Sequence, residues 1–171
     1  MEETSADCFC FIAMIKSKYI LLFFAIMIPM LVGGVSGFLT AEAIPGWYAT
    51  LNQPSFNPPN WVFGPVWTTL YLLMGLSFYK ILQLPASKDR SEAINIFYLQ
   101  LMLNFFWSLI FFRWHLIGLA LLEIIIMWIF IALMIHKFKK LNKFASYINI
   151  PYLCWVSFAS VLNASYYFLN R

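Results

Sequence analysis

Long apolar runs dominate the chain. Five stretches of roughly 20 residues, the length that crosses a bilayer core as a helix, follow one another along the sequence. They cover residues 19–41, 61–82, 94–112, 116–135 and 147–169. Because the runs are continuous and do not alternate in polarity, they predict helices and not barrel strands. The pattern predicts an all-α integral membrane protein, a bundle of five transmembrane helices in residues 19–171, after an N-terminal tail in residues 1–18.

Composition supports this class. Hydrophobic residues make up 63% of the chain and charged residues 11%, against about 45–50% and about 25% in soluble domains. The first apolar run is too long for a cleavable signal peptide. Residues 1–13 have no evident role, and Met14 is as plausible a start as Met1.

The basic residues fall into two unequal groups when they are sorted by side of the membrane. Arg113 and Arg171 are on one side. The other side has Lys16, Lys18, Lys80, Lys88, Arg90, Lys137, Lys139, Lys140 and Lys143. The positive-inside rule therefore predicts a cytoplasmic N-terminus and an outer C-terminus. We expect the lysines to face anionic lipid head groups, and no nucleic acid is expected as a partner.

The first loop, residues 42–60, is longer than the usual connection of about two to eight residues and contains no Lys or Arg. Its prolines favour an extended path, so we expect a stiff lid over the bundle. Asn60 is expected to cap the second helix, with Pro65 in or near its first turn. The lid residues singled out are Trp47, Phe56, Pro58 and Pro59.

The first helix contains "VGGVSG", in which Gly33 and Gly37 are one turn apart. Small residues at this spacing allow two helix backbones to approach closely in lipid. Either a neighbouring helix of the same chain or a second copy can use this face, and we expect a homodimer.

Three helices each have a polar and aromatic stripe at helical spacing. The stripes are Trp67, Tyr71, Met74 and Phe78; Gln100, Asn104, Trp107 and Phe111; and Trp155, Ala159, Asn163 and Tyr166. Ordinary core packing accounts for any single aromatic residue, but the coincidence of stripes predicts an aromatic cavity with a few amide groups.

Classical catalysis and metal binding find little support. The sequence has no Ser-His-Asp or Cys-His set, and His115 and His136 fall at membrane edges. Cys8, Cys10 and Cys154 form neither a disulfide framework nor a zinc motif. Glu123 lies about 10 Å into the fourth span, so we expect it to be protonated or paired, through Gln100, Asn104 or an indole N–H.

Three segments together resemble the TspO/translocator proteins, also called tryptophan-rich sensory proteins or peripheral benzodiazepine receptors. The segments are "WYATLNQPSFNPPNWVFGPVWTTLYLLMG", "LNFFWSLIFF" and "PYLCWVSFASVLN". The resemblance implies a five-helix bundle, commonly dimeric, which binds porphyrins such as protoporphyrin IX below the first loop. It implies ligand contacts at Gly64, Trp67, Asn104, Trp107, Leu122, Trp155, Ala159 and Asn163, to which the stripe on helix two adds Tyr71.

The resemblance also frames the expected function. It implies a tetrapyrrole sensor or receptor with a regulatory or stress role, with a porphyrin transporter as one alternative. A second alternative is light-dependent porphyrin breakdown at Trp67 and Trp155. Asn57 and Asn60 replace histidines of animal members, and the family's sterol motif is matched only loosely by Leu162, Tyr166 and Arg171. We expect no obligatory cofactor, and a bacterial cytoplasmic membrane as the location.

Overall fold

The structure is a computed structural model that describes residues 3–171, with side chains described from Lys18 onward. Its helices are α1 (Glu3–Thr40), α2 (Asn60–Leu82), α3 (Lys88–Ser108), α4 (Ile117–Leu141), α5 (Lys143–Tyr147) and α6 (Ile150–Leu169). Five helices in the described part are long and apolar enough to cross a membrane, which confirms the predicted class. Cys8 and Cys10 lie outside the residues whose side chains are described.

Side chains stabilise several helix ends. The Ser87 hydroxyl accepts a hydrogen bond from the Arg90 amide at the start of α3 (3.1 Å), and Asn142 caps α5 in the same way (2.9 Å). The Arg90 guanidinium donates to the last carbonyls of α2. The predicted Asn60 cap is wrong, because Asn60 is already the first residue of α2 and no side chain caps that end.

The first loop is less extended than predicted. Residues Ala41–Ala43 form a 3-10 turn and Ile44–Tyr48 a π turn, so the chain keeps coiling beyond α1. The backbone N–H of Asn57 then donates to the Pro54 carbonyl (3.0 Å), which closes a turn inside the proline-rich part. An extended, proline-rich path is therefore confined to the second half of the loop, which contains Pro54, Pro58 and Pro59.

The helices pack as one bundle in which α1 contacts α2 and α3, α3 contacts α4, and α4 contacts α6. The apolar core fills the half of the bundle next to α5. There Phe78 of α2 stacks on Phe97 of α3 with ring centres 4.1 Å apart, and Met127 and Val156 are fully buried. The other half, which we call the loop end because residues 41–59 cover it, is less completely filled.

The faces that were predicted to point inward are the buried ones. Tyr71, Met74 and Phe78 of α2 are buried. Gln100 and Asn104 of α3 are buried as well, and so is Phe111 just beyond the end of α3. On α6 the same holds for Ala159, Asn163 and Tyr166. Period 3.6 therefore identified the interior side of three helices correctly.

Glycines set the distance between α1 and α2. A Cβ at Gly75 would lie 2.6 Å from Ile26 Cα and 3.0 Å from the Ala25 carbonyl oxygen, so backbone meets backbone there. A Cβ at Gly33 would collide with the Tyr71 ring, whereas one at Gly37 would meet no atom within 4 Å. Gly33 thus packs within the chain, and the expected homodimer stays a prediction.

Candidate functional site

A cavity of about 340 Å³ lies at the loop end, between α1, α2, α3 and α6. This volume falls within the range of roughly 300–1,000 Å³ that small-molecule sites occupy. Of the residues predicted to contact a ligand, seven line it: Gly64, Trp67, Tyr71, Trp107, Trp155, Ala159 and Asn163. The cavity lining contains no charged side chain among the described residues.

The cavity reaches the surface between α1 and α2. Gly34 and Gly37 on α1 and Gly64 on α2 line the cavity and are exposed. A Cβ added at any of them would meet no atom within 4 Å. The upper parts of these two helices therefore form an open mouth, which faces the lipid in a membrane-spanning bundle.

A buried hydrogen-bond chain forms the floor of the cavity. The Tyr71 hydroxyl donates to Asn104 Oδ1 (2.6 Å), and Asn104 Nδ2 donates to the Tyr152 hydroxyl (3.2 Å). The Tyr152 hydroxyl in turn donates to Gln100 Oε1 (2.9 Å). Asn104 lies below the cavity, and both ends of its amide are engaged by tyrosines.

Asn163 is engaged in the same way on the cavity wall. Its Oδ1 accepts from Trp107 Nε1 (3.1 Å), and its Nδ2 donates to the Ile117 carbonyl (3.1 Å). The two amides therefore hold Tyr71 and Trp107 in place and join helices to one another. Direct contact between these amides and a ligand was the sequence-based expectation, and in this structure their polar atoms have protein partners.

A pair of tyrosines forms the roof of the cavity. The Tyr166 hydroxyl donates to the Tyr48 hydroxyl (2.7 Å), which donates to Asn57 Oδ1 (3.1 Å). Nearby, Asn52 and Asn170 exchange hydrogen bonds of 2.8 and 3.1 Å, which tie the loop to the end of α6. Tyr48 was expected only as one aromatic residue of the folded loop and was not among the predicted site residues, because its segment was interpreted as irregular.

The four predicted lid residues do not line the cavity. Trp47 stacks on His115, with ring centres 4.1 Å apart and planes 17° apart. Phe56 packs edge-on against Phe158 (6.3 Å). Pro58 and Pro59 lead into α2. The rings of Trp47 and Phe56 thus pack against aromatic rings outside the cavity. On the side of the loop the cavity is lined by Ile44, Tyr48 and Asn60.

Leu122 is not part of the cavity. Its side chain is 57% exposed, and α4 contributes none of the lining residues. The buried face of α4 includes Glu123, Ile124 and Met127, so helical geometry turns Leu122 outward. By contrast with Leu122, two residues of the loosely matched sterol pattern, Leu162 and Tyr166, are buried and line the cavity.

Besides Asn149 Oδ1, two buried polar groups have no hydrogen-bond partner among the described residues. Both carboxyl oxygens of Glu123, which is 7% exposed, are unpartnered. The expected pairing with Gln100, Asn104 or an indole is therefore not found. The second group is the indole N–H of Trp155, whose ring lies on the cavity wall.

The chemistry of the cavity is that of a binding site. Its lining is mainly aromatic and aliphatic, with hydroxyls that largely bond to protein atoms. The described residues contain no group of three His, Cys, Asp or Glu side chains able to hold a metal ion. An uncharged aromatic enclosure of this kind suits a flat apolar ligand, because ring faces stack and no buried charge needs a partner.

The chain is similar to several known proteins over most of its length. A family model described as TspO/MBR family matches residues 25–169. The tryptophan-rich protein TspO of Chlorobaculum tepidum is 41% identical over 81% of this chain and 89% of its own length. The tryptophan-rich sensory protein of Cereibacter sphaeroides is 38% identical over 68% and 72% of the two chains. The human translocator protein is 34% identical over 75% and 76%. With its five membrane-length helices and this match, the chain is a multi-pass membrane protein that belongs to the TspO/MBR family.

Proposed function

We propose that the protein is a membrane sensor or receptor that binds a tetrapyrrole such as protoporphyrin IX in the loop-end cavity. The observation that carries this proposal is the convergence of Trp67, Trp107 and Trp155 on one uncharged cavity. Indole faces stack on flat macrocycles, and such contacts contribute about 0.5–1.5 kcal/mol each beyond buried area. Tetrapyrroles related to haem belong to the same ligand class.

The uncharged lining also dictates how such a ligand would lie. Burying a carboxylate without a partner is costly, so the ring enters the cavity and the propionates stay at the loop end of the mouth, level with the membrane surface. There the exposed side chain of Asn60 lines the cavity. The ligand therefore keeps its charged edge at the membrane surface and its apolar face against the tryptophans.

The distribution of charge supports an orientation for the sensor. The basic residues of α2, α4 and α5 gather at the end opposite the loop, where Lys137 also pairs with Glu92 (2.6 Å). The positive-inside rule assigns this end to the cytoplasm. The cavity then lies in the outer half of the membrane, which for a bacterial protein is the periplasmic half of the cytoplasmic membrane.

Titration of protoporphyrin IX into the purified protein, followed by quenching of tryptophan fluorescence, tests the proposal. Trp67→Phe and Trp155→Phe should each weaken binding by roughly threefold to tenfold, since each replaces a large indole face with a smaller phenyl ring. Trp61→Phe is the matched control, because Trp61 is 75% exposed and does not line the cavity. Absence of quenching in the unmodified protein, or equal affinity in all three variants, would refute the assignment.

Light-dependent porphyrin breakdown is a second candidate function. Trp67 and Trp155 both line the cavity with ring centres 6.5 Å apart, so an excited ligand would contact two oxidisable indoles. Illumination of the complex in air should then bleach the Soret band, and bleaching should stop in the Trp67→Phe/Trp155→Phe double variant. Equal bleaching in the double variant would exclude this role for the pair.

Transport is a third candidate, favoured by the lateral mouth between α1 and α2 and by the name of the translocator relatives. Uptake of a dye-labelled porphyrin into proteoliposomes distinguishes it from sensing. Transport gives accumulation in the lumen over time, whereas pure binding gives a plateau that scales with the amount of protein.

A further inference from the structure

A second hollow lies on the outer side of the bundle, along the seam between α2 and α6. It has a volume of about 580 Å³ and we call it the outer groove. Val66, Thr69 and Leu73 line it from α2, and Cys154, Trp155 and Phe158 line it from α6. Its lining has no charged side chain in the part of the chain that the structure describes, and in a bundle that spans a membrane it opens to hydrocarbon.

Trp155 is the partition between the outer groove and the cavity. Its side chain lines both hollows. Inside, its ring meets Phe63 at 5.9 Å and Trp67 at 6.5 Å, in both cases edge to face. Movement of this one indole would therefore join the two spaces.

Side-chain packing alone closes the seam at this level. In the described part of the chain no hydrogen bond joins α2 directly to α6, and the nearest link is the bond from Asn149 Nδ2 to Ser77 Oγ at the α5 end (2.6 Å). The seam between α1 and α2 differs, because there the backbones are in contact at Gly75. The backbone contact at Gly75 therefore closes the α1–α2 seam below the mouth, whereas the α2–α6 seam is closed by side chains.

The indole of Trp155 can turn without breaking a hydrogen bond to the described residues. Its N–H is buried and has no partner among the described residues. Trp107, on the opposite wall, donates its N–H to Asn163 (3.1 Å) and would lose that bond on turning. Rotation of Trp155 costs ring contacts only.

We propose that the seam between α2 and α6 is a lateral gate for the ligand. The ligand first binds in the outer groove, and rotation of the Trp155 indole then opens the gate. The ligand is a flat lipophilic molecule that arrives from the membrane interior and lodges against Leu73 and Phe158. It enters the cavity when Trp155 turns. This inference rests on the proposed binding function, and it adds a route that bypasses the mouth between α1 and α2.

Stopped-flow measurement of protoporphyrin IX binding, with the protein in lipid nanodiscs, tests the gate. Thr69→Phe fills the outer groove without touching the cavity, and Leu76→Phe places the same aromatic ring at a lipid-facing position outside the groove. In a Cys8→Ser/Cys10→Ser background, alkylation of Cys154 with N-phenylmaleimide fills the groove chemically. The Cys154→Ser protein treated identically is its control.

On this proposal most of the ligand exchanges through the gate and little through the mouth. Filling the groove should therefore slow association and dissociation by the same factor, about tenfold, and leave Kd unchanged, because it blocks a path and not the site. Leu76→Phe and the cysteine-free control should keep the original rates. Unchanged rates with intact binding would overturn the gate and leave the proposed function standing, as would a change in Kd with association unaffected. Absence of equilibrium binding in the unmodified protein would overturn both.

Discussion

Replacement of Gly75 by alanine tests the close packing between α1 and α2. The added Cβ would lie 2.6 Å from Ile26 Cα and 3.0 Å from the Ala25 carbonyl oxygen. These atoms belong to the backbone of α1, so no side-chain rotation relieves the contact. The helices must move apart, which displaces Tyr71, one turn above Gly75, and disturbs its hydrogen bond to Asn104.

Two opposing contributions set the size of the effect. Alanine in a helix interior is favoured over glycine by roughly 0.5–1 kcal/mol. Overpacking a filled site costs about 1–3 kcal/mol. Gly34→Ala provides the reference, because its Cβ meets no atom within 4 Å and only the propensity gain remains. Relative to Gly34→Ala, we expect Gly75→Ala to lower the free energy of unfolding by about 1–3 kcal/mol.

Thermal and SDS-induced unfolding in one detergent, followed by near-UV circular dichroism, measure this difference. Protoporphyrin titration of the same proteins shows whether the displaced Tyr71 also weakens binding, which we expect. Equal stability of Gly75→Ala and Gly34→Ala would refute the inference that backbone contact fixes the α1–α2 distance.

The other predictions concern the floor and walls of the cavity. Tyr71→Phe leaves Asn104 Oδ1 without its donor and should lower the free energy of unfolding by about 1–2 kcal/mol; an unchanged SDS midpoint would contradict this. Ala159→Leu fills the cavity from α6 and should weaken porphyrin binding by about tenfold or more. Leu122→Ala should leave the Kd unchanged, because Leu122 faces outward, and a clear loss of affinity in this variant would reverse that placement.

Hydrophobic length and helical period were enough to predict the spans and their inward faces. Continuous apolar runs have few alternatives to a membrane helix, and polar groups such as Gln100 are costly unless they face the interior. These constraints act within one helix, so the sequence of that helix carries them.

Partners from other helices could not be predicted in the same way. The amides of Asn104 and Asn163 were correctly placed on inward faces, but their engagement by Tyr71 and Trp107 depends on how three helices are rotated against one another. Leu122 was expected on the cavity by resemblance, and the rotation of α4 turns it away. The first loop was misjudged because its prolines were weighted above the helix-compatible residues at its start, and Tyr48 was missed for this reason.

The tie between Asn52 and Asn170 has a consequence for biosynthesis. The two residues are 118 positions apart, and the Tyr48 to Tyr166 bond spans the same interval. During synthesis the first loop is complete long before α6 exists, so the roof can close only after the fifth membrane span has been inserted. Until then the tryptophan surfaces of α2 and α3 remain open to lipid. A nascent chain stalled before α6 would have most of its transmembrane helices and no enclosed site. Closure of the roof is therefore a late step in assembly.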